Sequence, residues 1–457
     1  MACETLILNG RVVTGDGSTV HTRGSVRVRG RTIVQVAEGQ LAAAAGSLII
    51  DADGYTIIPG IINAHAHGCV HGPSMPSGSK PFRSSDVDYF RNRHLLSGTS
   101  TLLNVCGLTL ADEIDDGTRN NHPLDIHITS AHTPSNLRAA LAIDGAGLRD
   151  RHHAATIETM ISAGVRALGE AGGGQTLGGG AQDYRFIPDA IFALTGIRLS
   201  PKWARSLKEA VLGRTLDGKD AAPTELIEAL LAECGLLSIM SVQDLVELIT
   251  KTVMPPVALS LRGLDEIAAA CAHYGLPGIF HHALPTARTL LNLAVRYPSA
   301  RIVAAHANHP SFRPDECVAS ARELKKRGVV IDVSTLDCIT TRWRNDATNI
   351  DLLVREGLVD TLSTDFAGGD WDSILAAINR MVQREQTTLP CAIALATGNV
   401  ARIFPEFAGD RGILAPGKRA DVAIVESHNL ARVRHLMING RFAVWNGARS
   451  DKIPKNP

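Results

Sequence analysis

Short apolar runs alternate with longer stretches of helical periodicity through the middle of this chain. Eight runs stand out: Thr56–Asn63, Thr99–Cys106, Leu124–Ala131, Val165–Glu170, Leu276–His281, Arg301–His306, Val329–Ser334 and Val359–Asp365. Continuous apolar strands separated by helices form a parallel sheet buried on both faces. Eight of them predict an α/β fold closed into a (β/α)8 TIM-type barrel. An open, doubly wound sheet is the alternative, disfavoured by the even spread of metal-type residues over the strand ends. The two ends of the chain read as short strands broken by Gly and Asp, as in "LILNGRVVTGDG" and "GILAPGKRADVAIVES". They predict one small β-sandwich built from residues 1–58 and 407–457, with the barrel over 59–406. About a hundred residues separate the fourth and fifth runs, and much of that stretch carries apolar residues at helical spacing. It predicts a helical insertion at about 183–266. Leaving from a strand end, the insertion serves as a lid over the site or as an oligomer contact.

Composition narrows the picture slightly. A length of 457 residues suits a barrel plus a satellite. Lys plus Arg equals Asp plus Glu, at 46 each, so no bulk charge draws the chain to nucleic acid or an anionic membrane. No apolar run reaches the roughly 18 residues of a membrane span. The N-terminus lacks a secretory pattern. The eight cysteines form no CxxC pair, which argues against a thiolate zinc knuckle. Scattered thiols without export predict a cytoplasmic protein. A small-molecule substrate and a homo-oligomeric state complete the expectation.

The strand ends carry the chemistry. The first run leads into His65-Ala66-His67, and residues i and i+2 of a strand face one side. Two imidazoles one pleat apart can hold one divalent ion. The fourth run ends in Glu170, whose two oxygens can bridge two cations about 3.5–4 Å apart. A lone Glu there would otherwise be a solvated rim charge. The fifth run ends in His281-His282, of which only one can point inward. His281 directly follows the apolar run, and His282 is the alternative. The sixth ends in His306, a position that in isolation suits a packed core histidine equally well. The eighth ends in Asp365, which can touch a metal, accept the proton of a bound water as general base and return it to a leaving nitrogen. It could instead cap the next helix, a task that Asp370 or Asp372 can take.

With these residues in place, the chain resembles the amidohydrolase superfamily: HxH on strand one, an acid on strand four, His on five and six, Asp on eight. The tail "ALATGNVARIFPEFAGDRGILAPGKRADVAIVE" is similar to that family as well. Glu170 in "GEAG" resembles the bridging Glu of enamidase-type cyclic amide hydrolases, whereas the helical insertion departs from that pattern. The resemblance implies a binuclear metal centre of Zn type, with Fe, Mn or Co as alternatives. Its first ion would sit on His65, His67, Glu170 and Asp365, its second on Glu170, His281 and His306. It implies hydrolysis of an amide C–N bond, in a cyclic amide or an N-acyl compound, by a metal-activated hydroxide. Deamination of an aminated heterocycle at the same site is the alternative, and a non-enzymatic binding barrel is a third reading. Weaker candidates for substrate contact are His132, Asn308 with His309, and Arg342, which could hold a carboxylate in bidentate fashion. Each also has a plain structural reading. Cys69 and His71 are expected near the entrance, His152 and His153 at the surface.

Overall fold

Eight parallel strands carry the middle of the chain: β1 (Ile61–Ala66), β2 (Thr99–Asn104), β3 (Asp125–Ile128), β4 (Leu168–Ala171), β5 (Pro277–His281), β6 (Arg301–Ala305), β7 (Val330–Ser334) and β8 (Thr361–Ser363). The computed structural model describes residues 4–115, 122–173, 176–177, 180–335, 347–366 and 373–450. Strands β1 to β3 pair in order, as do β4 to β8. Single parallel bridges join the two groups at both seams, Ser130 to Leu168 and Ala66 to Phe366. The pairing therefore passes through all eight strands in chain order and returns to its start. Most of these strands are buried along their length, as parallel strands covered on both faces must be.

The first apolar run, Thr56–Asn63, is not one strand. Tyr55–Pro59 pairs antiparallel with Val422–Glu426 in a different sheet, and β1 begins only at Ile61. Gly60 separates them. A Cβ there would stand 2.5 Å from Ser100 Oγ, so only glycine lets the chain pass from one sheet to the other. The apolar pattern runs straight through this break because both sides of it are core.

Strands from the two chain ends do meet. Nine strands drawn from residues 4–59 and 422–449 form one sheet with its own apolar core, including Ile7, Val26, Ile57, Val422 and Phe442. The helix Pro405–Ala408 lies on the other side of this division. Its Phe407 packs with Phe404, Ile62, Leu103 and Val303 of the strand circuit.

Between β4 and β5 stand the helices Ile187–Thr195, Pro201–Leu212 and Thr224–Glu233, followed by Val242–Tyr274. The last has 33 residues, carries Pro255 and Pro256 inside it and continues past residue 266. Its start is capped by Ser241 and Asp244, and Gly275 (φ +68°) ends it in the left-handed turn that glycine favours. This one helix completes the inserted lobe and also serves as the crossover into β5. Among the described residues, no helix is long and apolar enough to cross a membrane.

Asp125 at the start of β3 ties the strand circuit to the C-terminal segment, facing Arg411 and Arg419. Burial opposes its charge, but His127, Arg419 and Arg411 outweigh that and hold its carboxyl far below the usual range. A depressed carboxyl stabilises the fold above its unfolded pKa of about 3.9 and loses that contribution as pH falls. Asp125→Asn is expected to cost about 1–3 kcal/mol at pH 7, because Arg411 and Arg419 each lose one of their two carboxylate partners while Asp410 and Asp421 remain to them. Urea unfolding should show the difference shrinking below about pH 4.

Candidate metal centre

The ends of β1 and β8 are locked together although they lie some 300 residues apart in sequence. The Asp365 amide donates to His65 O (3.0 Å) and the His67 amide to Phe366 O (2.7 Å). Asn63 completes the lock: its Nδ2 donates to Thr364 Oγ1 (2.8 Å), and its Oδ1 accepts from the amides of Thr364 (3.2 Å) and His65 (3.3 Å). Asp365 and His306 each follow a strand and hold left-handed backbone, at φ +50° and +39°. Such conformations cost a non-glycine residue about 1–2 kcal/mol and gather at functional sites. Gly169 (φ +97°) precedes Glu170; a Cβ there would stand 2.2 Å from Ile279 O, so only glycine lets β4 lie this close to β5.

These elements bring His65, His67, Glu170, His281, His306 and Asp365 together. Glu170 divides the four imidazoles in two. Its Oε1 lies 3.2 Å from His281 Nδ1 and 3.3 Å from His306 Nε2. Its Oε2 lies 3.5 Å from His67 Nε2 and 3.9 Å from His65 Nε2. Asp365 Oδ1 stands 3.3 Å from His65 Nε2 and 3.5 Å from His67 Nε2. Five of the six side chains are almost fully buried, and Asp365 is the most accessible at 21%.

The electrostatics follow from this packing. Burial opposes the Glu170 charge, yet His281 and His306 hold its carboxyl well below the usual range. Burial opposes Asp365 likewise, and His65 and His67 overcome it. His67 is raised against its burial by Asp365 and Cys106, and His306 by Glu170. His281 is lowered by burial and by the neighbouring His306.

Among the described residues, no Lys or Arg pairs with Glu170 or Asp365. Both ring nitrogens of His65 are buried without a hydrogen-bond partner, as is Nδ1 of His306. Buried carboxylates facing unpartnered imidazole nitrogens call for a cation. Two ligands about 2.1 Å from one ion stand roughly 3.0–3.4 Å apart, close to the separations here. His65, His67 and Asp365 form one group suited to a metal ion, and His65, Glu170 and His306 another.

One supporting contact was absent from the sequence reading. Cys106 Sγ donates to Ser74 O (2.7 Å) and lies 3.7 Å from His67 Nδ1. The sulfur thus accepts from the Nδ1–H, leaving the Nε2 lone pair to face the carboxylates. Its position directly after β2 was the available signal. Cys106→Ala is expected to weaken metal binding about tenfold, measured by competition with a chromophoric chelator.

His282 turns away, to Ser320 (3.1 Å) and the Phe312 ring. His132 is buried against Ser130 Oγ (3.0 Å), does not line the main cleft, and is lowered by burial to about 4. Asn308 does line that cleft, but its amide is committed to the Ser334 backbone at 3.0 and 2.9 Å. His309 lines the cleft beside His306 and Asp365, and burial with the His281 and His306 charges holds it well below its ordinary value. Arg342 lies outside the described residues. His152, expected at the surface, is fully buried against Glu113 (3.1 Å). Cys69 is fully buried, its carbonyl accepting from Arg91 Nε, and does not line the cleft.

The cleft has a volume of about 560 Å³ and runs from Asp365 and His306 to the inserted lobe. The lobe supplies Asp183, Arg205 and Lys208 to its wall. Asp183 accepts from both cations, at 2.9 and 2.6 Å, which fixes this wall as a polar surface.

The family described as "Amidohydrolase family" matches residues 152–443. No curated protein matches the chain. The fold is similar to that of β-aspartyl dipeptidase from Fervidobacterium islandicum AW-1, at 17% identity and a TM-score of 0.54, covering 99% of this chain and 100% of that one. It is similar to dihydropyrimidinase from Brevibacillus agri NCHU1002, at 14% identity and a TM-score of 0.53, covering 98% and 96%. It is also similar to N-acyl-D-glutamate deacylase from Bordetella bronchiseptica, at 16% identity and a TM-score of 0.52, covering 98% and 99%. At these identities the likeness is one of fold.

Proposed function

This chain belongs to the amidohydrolase family, and we propose that it hydrolyses an amide C–N bond at a binuclear metal centre in the mouth of a TIM-type barrel. His65, His67, Asp365 and Glu170 would hold one divalent ion, and Glu170, His281 and His306 the other, with Zn preferred and Fe, Mn or Co as alternatives. The observation that carries the reading is Glu170 itself. One carboxylate oxygen faces each pair of imidazoles, which is what a bridging ligand must do. When bound, the ions supply Lewis acidity and lower the pKa of a water to about 7.

The chain's own groups do the rest. Asp365 stays ionised at neutral pH and lines the cleft, so its carboxylate can take the proton of the attacking water and return it to the leaving nitrogen. Burial of the imidazoles excludes bulk water from their far sides, and the β1–β8 lock holds Asp365 in register with His65 and His67. The bridging Glu favours the enamidase-type reading, with a cyclic amide or an N-acyl compound as substrate. The lobe wall is a feature of this chain and sets what fits the cleft.

The test is to load the pure protein with Zn, count metal per chain, and screen cyclic amides, N-acyl amino acids and aminated heterocycles. Two ions and turnover of an amide are expected. One ion with release of ammonia from a heterocycle would replace the reading with deamination. A protein that takes up no metal and stays inert would end it.

A further inference from the structure

We propose that His309 is a fixed, neutral hydrogen-bond donor to the oxyanion that develops on the substrate during turnover; the inference rests on the function proposed above. The ring lies beside two of the proposed metal ligands, its centroid 5.5 Å from that of His281 and 5.7 Å from that of His306. With His306 and Asp365 it lines the inner end of the cleft. A carbonyl brought up to those groups would share the cleft with the His309 ring.

Ser311 sets the tautomer. Its backbone amide lies 3.1 Å from His309 Nδ1 and can only donate. Its hydroxyl is 2.8 Å from the same nitrogen and already accepts from the Leu284 amide (2.9 Å), so the hydroxyl hydrogen is left for His309. Nδ1 must therefore be an acceptor, and the ring proton sits on Nε2. A second proton on Nδ1 would oppose both donors. The backbone is held too: His309 O accepts from the Phe312 amide (3.1 Å) and from Asn349 Nδ2 (3.3 Å). Among the described residues, nothing accepts from His309 Nε2.

A donor held in place before the charge appears is the economical way to stabilise an oxyanion, since nothing reorganises during the reaction. No proton leaves the ring. The Nε2–H strengthens its bond as the carbonyl oxygen gains charge, while Asp365 carries the proton traffic. His309 is thus a catalytic residue that binds no metal.

The test uses the Zn-loaded full chain and methylphosphonate, a small tetrahedral oxyanion, with binding followed by calorimetry. His309→Leu is expected to keep the wild-type metal content and lose about 10- to 100-fold in methylphosphonate affinity. His309→Gln, which keeps an N–H, should lose less. Nitrogen-15 NMR of the wild-type ring, assigned by its disappearance in His309→Gln, should show the proton on Nε2. Equal affinity in His309→Leu overturns the inference, as does a proton on Nδ1. Loss of one metal ion in His309→Leu also overturns it, because the residue would then be a ligand. Those results leave the proposed hydrolase standing. A wild-type chain that holds no metal removes the hydrolase reading and the inference with it.

Discussion

Asp365→Asn is expected to lower kcat by about 10²–10⁴-fold, the range for loss of a general base, while the protein keeps most of its metal. The change retains the shape of the side chain and one oxygen. It removes the charge that faces His65 and His67 at 3.3 and 3.5 Å and the proton acceptor at the cleft. The backbone lock does not depend on the carboxylate, since it runs through the Asp365 amide and the Asn63 side chain. Elemental analysis beside steady-state rates separates the two effects. If kcat survives, the proton is carried elsewhere.

Glu170→Ala should do more damage and of another kind. Each Glu170 oxygen serves one pair of imidazoles, so its loss removes a ligand from both proposed ions at once. Metal content is expected to fall from two ions per chain to one or none, and activity with it by more than about 10³-fold. The metal-free proteins should differ as well. The Glu170 carboxyl lies well below its unfolded value of about 4.3, so its contribution to stability is complete above that pH and fades as pH falls below it. Metal-free Glu170→Ala should therefore show a shallower acid limb in thermal unfolding than metal-free wild type. A variant that retained two ions would show that Glu170 does not bridge.

How much of this was legible in the sequence depends on how local each feature is. The His65-Ala66-His67 spacing and the acids and imidazoles after apolar runs are readable because a strand has a period of two residues and barrel sites form at strand ends. That same alternation allows only one of His281 and His282 to point inward, and His281 is the one that directly follows the apolar run; the structure points His281 at Glu170 and His282 at Ser320. Features set by distant contacts were not readable. The break at Gly60 is invisible to an apolar pattern, since the strands on both sides of it are buried. His152 looks like a surface residue until Glu113 is folded against it. The Asn63–Thr364 lock and the Cys106–His67 contact pair residues that no periodicity relates. The inserted lobe was legible as helices, but its place in the cleft wall depends on Arg214 reaching Ser311 O in the loop after β6 (2.8 Å).

The helix Val242–Tyr274 gives that lobe a mechanical character. At 1.5 Å per residue it is a rod of about 50 Å, packed against the lobe at one end and feeding β5, which carries His281, at the other. A wall mounted on such a rod cannot flap independently of the strands. Its ladder of backbone bonds is interrupted only near Pro255 and Pro256, so a swing of the lobe must pivot there or else push on the strand that carries a candidate ligand. Substrate fit at the outer wall and ligand geometry at the floor of the cleft are therefore coupled through one stiff element.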